Sequence, residues 1–213
     1  MPACSVEPEH HGRRALAGIL LAPGAGGSSE SPAMAELAAF LEANGVAVQC
    51  MDFPYRLAGR RRPDPPAVLE ATVRERASAF AEQLGTRTDA LVLGGRSMGG
   101  RICSQVVAER FPAAGLALVS YPLHPPGRPE RMRISHFPQL RVPCLFVSGT
   151  RDAFAAPDEL EAATARIPGR VVHVWLKGGD HGLRTQGAAA AAAVLKWVTS
   201  TFELSSSGGT LSS

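Results

Sequence analysis

Lysine is almost missing from this chain: Lys177 and Lys196 are its two, and the other Lys+Arg residues of the 22 are arginines. That bias, beside abundant alanine, reads as base composition rather than function. Against 19 acidic residues the formal charge is +3, too mild to imply a phosphate-backbone partner without a clustered basic face. Arg60, Arg61 and Arg62 are a short basic run, but neither interleaved aromatics nor a wider basic stripe accompanies them. They read as a solvated loop, and no nucleic-acid partner is expected. Cysteine is scarce as well. Cys4, Cys50, Cys103 and Cys144 lie far apart, with no CxxC pair and no Cys/His ligand spacing, so neither a disulfide framework nor a metal site is indicated. The pair His10-His11 is read as inert. A reducing compartment, the cytoplasm, is the expected location. Long apolar runs are lacking too: the longest are about eight residues where a bilayer span takes ~20, so no membrane role is expected. Arg13 and Arg14 before an apolar run mimic a twin-arginine export signal, but the Gly-rich turn that follows makes the run a first buried strand.

What is present is an ordinary globular composition. The 213 residues are 45% hydrophobic and 19% charged, enough chain for a sizeable core and unlike a disordered one. Short apolar segments at 15–22, 46–53, 89–94, 115–121, 142–149 and 170–176 predict strands. Helical stretches are predicted at about 31–43, 67–84, 97–110, 158–165 and 186–202. Ser31-Pro32 opens the first of these and Asn44-Gly45 ends it. A Pro/Arg-rich loop covers 54–66, and 122–140 is irregular. Strands alternating with helices predict βαβ units, hence a mainly parallel sheet with helices on both faces. Residues 15–203 are expected to form a single domain between a flexible N-terminus, 1–14, and a disordered tail, 204–213. In such sheets ligands bind beyond the carboxyl ends of the strands.

Gly95-Arg96-Ser97-Met98-Gly99 satisfies G-x-S-x-G between a predicted strand and a predicted helix. That is the context a nucleophile elbow requires, because the serine sits on a sharp turn that small neighbours allow. A serine hydroxyl is a weak nucleophile near neutral pH and needs an imidazole base oriented by a carboxylate. Asp152, directly after one strand, and His181, after the last, provide them in the order Ser, Asp, His. Asp180 is a rival acid, but its adjacency to His181 in sequence aims it away from the ring. For an oxyanion, the elbow offers the Met98 amide. The turn Gly24-Ala25-Gly26-Gly27 offers a second, with Ala25 the first choice and Gly26 the next. Arg96, beside the serine, and His124 with Arg128, in the loop after the fourth strand, are candidates to face the pocket and favour an acidic acyl group.

The stretches PGAGG at 23–27, GGRSMGGR at 94–101, YPLHPP at 121–126, FVSGTRD at 146–152 and GGDHG at 178–182 resemble the α/β-hydrolase superfamily. They are most similar to its small dienelactone-hydrolase-like branch. That branch holds a vertebrate testis-expressed hydrolase-like protein and a domain of a subunit of a nuclear histone-acetyltransferase complex. The resemblance covers about residues 16–202. It implies an α/β-hydrolase fold with little or no lid, and it places Ser97, Asp152 and His181 at the nucleophile, acid and base. Dienelactone hydrolases proper carry cysteine where this chain has Ser97. The expected activity is hydrolysis of a small ester, lactone or thioester through an acyl-enzyme. The alternatives are a peptidase on the same triad, or a hydrolase fold serving as a binding module. A small-molecule substrate and no cofactor are expected.

Overall fold

The computed structural model describes residues 14–204. Residues 1–13 and 205–213, which include Cys4, His10-His11 and most of both expected flexible ends, lie outside the described residues. The chain forms β1 (Ala15–Leu16), β2 (Gly18–Ala22), α1 (Pro32–Ala43), β3 (Val48–Cys50), α2 (Pro54–Leu57) and α3 (Pro66–Gln83). It continues through β4 (Leu91–Arg96), α4 (Met98–Ala108), β5 (Gly115–Val119), β6 (Cys144–Gly149), α5 (Pro157–Thr164), β7 (Val171–Leu176), α6 (Gly187–Thr201) and β8 (Glu203–Leu204).

Six of the strands make one parallel sheet in the order β3-β2-β4-β5-β6-β7. Side chains alternate across a strand, and here both faces are buried, which is why the strands read as continuous apolar runs. Leu20, Leu91, Leu93, Leu116, Leu118, Cys144 and Phe146 point to the face covered by α3, α4 and α5. Their neighbours Ile19, Leu21, Val92, Ala117, Val119, Leu145 and Val147 point to the face covered by α1 and α6. Each fully buried aliphatic side chain contributes roughly 1.5–3 kcal/mol.

The expected strand over 15–22 is two strands. The Ala17 amide donates to the Ala90 carbonyl, and the two residues before it turn aside to pair with Glu203 and Leu204. Arg14 and Leu204, expected in flexible ends, take part in that pairing: the Arg14 carbonyl accepts from Glu203 and Leu204 lies opposite Leu16. The loop at 54–66 opens with the α2 turn. Ser31 is the N-cap residue of α1, its carbonyl accepting the Ala35 amide at 3.0 Å, but its side chain makes no capping bond and the hydroxyl donates to the Ser28 carbonyl instead.

The winding of the sheet reverses between β2 and β4: the chain runs outward from β2 to β3, then returns to β4 on the other side. A crevice opens at such a reversal, and here the turn after β2 and the start of α4 face one another across it. A Cβ built on Gly24 would lie 3.6 Å from the Ser97 Cβ. Among the described residues no helix is long and apolar enough to cross a membrane.

Candidate active site

Ser97 stands between β4 and α4 with φ 49° and ψ −117°, a conformation that costs an L-residue on the order of 1–2 kcal/mol. The surroundings hold it there. Its amide donates to the Val119 carbonyl at 2.9 Å and its carbonyl accepts from Arg101 at 3.1 Å. Gly95 takes φ +146°, and a Cβ at Gly95 or Gly99 would run into the backbone of Ala22. Those contacts are the physical reason for the two glycines of the motif: the elbow is pressed against the end of β2.

Asp152 follows β6 and His181 follows β7, so both side chains come to the same sheet edge as Ser97. The Ser97 hydroxyl is 2.8 Å from His181 Nε2. On the other side of the ring, His181 Nδ1 lies 2.9 and 2.8 Å from the two Asp152 carboxylate oxygens. The Asp152 side chain is fully buried and also accepts the Phe154 amide at 2.8 Å. A carboxylate only accepts, so the imidazole proton sits on Nδ1 and the Nε2 lone pair faces the serine. Asp180 is exposed and its carboxylate accepts the Leu183 amide at 2.9 Å. It shapes the loop and leaves the ring to Asp152.

Behind the imidazole lies the Phe154 ring, stacked at 4.0 Å and 27°. Arg96 reaches under the His181 loop, where its Nη2 donates to the Gly182 carbonyl at 2.5 Å and, longer, to that of His181 at 3.4 Å. Burial lowers its pKa and the nearby Asp180 opposes the shift; with an ordinary value so high, the guanidinium stays charged.

The turn at 24–27 closes with a Gly27 amide to Gly24 carbonyl bond of 3.0 Å. The Tyr55 hydroxyl donates to the Ala25 carbonyl at 2.8 Å. The Asp52 carboxylate accepts both the Ser29 amide at 2.8 Å and the Ser29 hydroxyl. The turn is thereby tied to the segment after β3. Neither the Met98 nor the Ala25 amide meets an acceptor among the described residues.

From Ser97 and His181 a cleft of about 580 Å³ runs between the start of α1 and the loop into α6. Leu37, Val119, Leu183 and Ala190 give it apolar walls, with Gly26, Arg96, Glu36 and Arg184 among its polar and backbone lining. Two expected pocket residues are elsewhere. His124 is buried, with its ring against Pro125 and Glu159, and Arg128 is exposed to solvent. Neither lines this cleft, because the chain after β5 folds toward α5 rather than over Ser97. Phe154, Tyr55 and Asp52 were missed in the sequence, where no motif marks them; only tertiary contact brings them to the site. Cys103, in α4 soon after the serine, is fully buried, and burial pushes its thiol up to about 12, which removes it as a competing nucleophile. Among the described residues no three His, Cys, Asp or Glu side chains gather to hold a metal ion.

A parallel sheet with a strand-turn-helix serine, and acid and histidine on later strand ends, defines the α/β-hydrolase architecture. The chain belongs to the α/β-hydrolase domain family, whose model matches residues 15–201. It is similar in structure to an α/β serine hydrolase homologue from Coxiella burnetii, with TM-score 0.71 and 17% identity over 87% of this chain and 88% of that one. It is also similar to Est1E from Butyrivibrio proteoclasticus with ferulic acid bound, at 0.71 and 16% over 91% and 92%. Dienelactone hydrolase from Anabaena variabilis matches at 0.70 and 18% over 91% and 89%. At such identities the likeness is one of fold.

Proposed function

We propose that this protein is a serine hydrolase that cleaves small esters, lactones or thioesters through an acyl-enzyme. The observation that carries the reading is the continuous row from the Ser97 hydroxyl through the His181 ring to the buried Asp152 carboxylate. In the first half-reaction Ser97 Oγ attacks the substrate carbonyl while His181 Nε2 takes its proton. Asp152 keeps Nδ1–H oriented and stabilises the imidazolium. The same proton then goes to the leaving alcohol or thiol, and a water repeats the sequence on the acyl-enzyme to release the acid. Backbone donors for the oxyanion are the Met98 amide and one amide of the 24–27 turn, each worth about 3 kcal/mol in the transition state. Ala25 is the first choice for the second. Gly26 is the other, because it lines the cleft and its N–H lies opposite the Ala25 carbonyl that Tyr55 holds.

The cleft favours a small substrate with an apolar body. The Arg96 Nε and Nη1 donors have no protein acceptor among the described residues, so an anionic oxygen on the acyl group gains a partner there. By its GGRSMGGR and GGDHG stretches we place the chain with the small dienelactone-hydrolase-like proteins, including the testis-expressed and chromatin-complex relatives. Cys50, Cys103 and Cys144 are unbridged, which suits a cytoplasmic setting. The test is a fluorophosphonate probe. A covalent adduct on Ser97 that forms in the wild type and is strongly diminished in His181→Ala is expected; an unlabelled serine, or labelling indifferent to His181, overturns the reading.

A further inference from the structure

His124 lies off the cleft, yet it grips the loop that carries the acid. Its backbone amide donates to the Phe154 carbonyl at 3.1 Å. Its ring is held at both nitrogens: Nδ1 is 2.9 Å from the Pro125 carbonyl and Nε2 is 3.2 Å from a Glu159 carboxylate oxygen. That same Glu159 oxygen accepts the Ala156 amide at 3.0 Å. The turn at 152–156 is therefore clasped at Phe154 by the His124 main chain and at Ala156 by the partner of the His124 ring. Within the turn, the Phe154 amide bonds the Asp152 carboxylate and the Phe154 ring stacks on His181. Any loosening of the clasp is felt directly by two members of the triad.

A carbonyl and a carboxylate both accept and neither donates. A neutral imidazole has one N–H and satisfies one of them; satisfying both requires the imidazolium. We infer that His124 is a positioning residue which, as a doubly donating cation bonded to Pro125 and Glu159, locks the acid loop so that Asp152 and Phe154 hold His181 in line with Ser97. Loss of its proton leaves one acceptor facing a lone pair and loosens the clasp on its ring side, while the main-chain bond to Phe154 remains.

Among the described residues the charges bearing on the ring are the Glu159 carboxylate of α5 and the opposing Arg133 guanidinium of the segment after β5. Burial by itself lowers the His124 pKa, but the bonds to Pro125 and Glu159 outweigh it and the net direction is upward. Glu159 is lowered, first by its bond from the Ala156 amide and then by His124, so it remains an acceptor. For a histidine raised on folding, the contribution is complete at low pH and disappears as pH rises through the folded-state value. The clasp therefore loosens on the alkaline side of the ordinary histidine range.

This inference rests on the serine-hydrolase reading, and its test separates the two. For the full chain, kcat and KM toward p-nitrophenyl acetate, and the rate of fluorophosphonate labelling of Ser97, are followed from about pH 6 to about pH 10. The wild type is expected to lose kcat along an alkaline limb with KM little changed. In His124→Gln, kcat at neutral pH drops roughly tenfold, the scale of one hydrogen bond to a charged group, and the alkaline limb disappears because glutamine does not titrate. Glu159→Gln removes the charge that holds the proton, so its limb moves to lower pH. If His124→Gln does not fold by circular dichroism, the Glu159→Gln shift decides alone. A limb unmoved in the folded variants, or no limb in the wild type, overturns the positioning role while Ser97 labelling leaves the hydrolase reading standing. Absence of labelling at every pH overturns both.

Discussion

At the residue scale the site depends on which side chains are committed to the protein and which are left open to a substrate. Asp152 is consumed entirely, by His181 and the Phe154 amide. Arg96 is divided: one nitrogen holds the carbonyls of the His181 loop, and the rest of the guanidinium has no acceptor among the described residues. A cation in this position is expected to select substrates. Across a panel of p-nitrophenyl esters with and without a terminal carboxylate on the acyl chain, the wild type should prefer the anionic members by roughly tenfold, the worth of one charge-assisted hydrogen bond. Arg96→Met should abolish that preference. A preference that survives the substitution assigns anion selection elsewhere and leaves Arg96 with its loop alone.

At the element scale the elbow is a packing problem between β2 and the start of α4. The Ala22 and Pro23 carbonyls occupy the space a side chain at Gly99 would need, and backbone at the end of a central strand has nowhere to retreat. Gly99→Ala should therefore lower thermal stability by the 1–3 kcal/mol typical of overpacking and slow Ser97 labelling, since the serine moves relative to the 24–27 turn. Gly26→Ala is the control. It lies in the same cleft, but a Cβ there meets nothing within 4 Å, so its melting curve should match the wild type to within about 0.5 kcal/mol. Comparable destabilisation in both would show that the contact with β2 is not what requires Gly99.

At the scale of the whole molecule, pH acts on stability through histidines far from the cleft. His136, in the segment between β5 and β6, meets the Ser104 hydroxyl of α4 at 2.8 Å. Burial, aided by the Arg101 charge, lowers its pKa to about 4. His173 on β7 is also lowered by burial. A depressed histidine stays neutral in the fold while the unfolded chain takes up a proton, so stability falls as pH drops from the ordinary histidine value toward the folded-state one. With the His136 value at about 4, that residue alone accounts for a loss on the order of 3 kcal/mol. Urea midpoints at about pH 7 and about pH 4.5 should show the decline, and His136→Gln should flatten it. A variant with the wild-type pH dependence would move the effect to other groups.

The alternation of apolar runs with helical periods was enough to read a parallel α/β sheet, because strands buried on both faces must be apolar throughout. The motif around Ser97, with Asp152 and His181 after later strands, was legible because strand ends on one sheet edge are brought together by topology alone. The break at Ala17 and the pairing of Leu16 with Leu204 were not, since two-residue strands leave no periodicity to read. Nor was the clasp of His124: a histidine in a proline-rich loop reads equally well as pocket-facing or solvated, and its burial depends on where α5 packs. Local residue chemistry and period are carried by the chain itself, and they determined the class of fold and the candidate nucleophile, acid and base. Which hydroxyl ties down the 24–27 turn, which ring backs the imidazole and where the cleft opens are set by contacts between segments far apart in sequence. Those contacts are decided by how the layers pack, and no single segment encodes them.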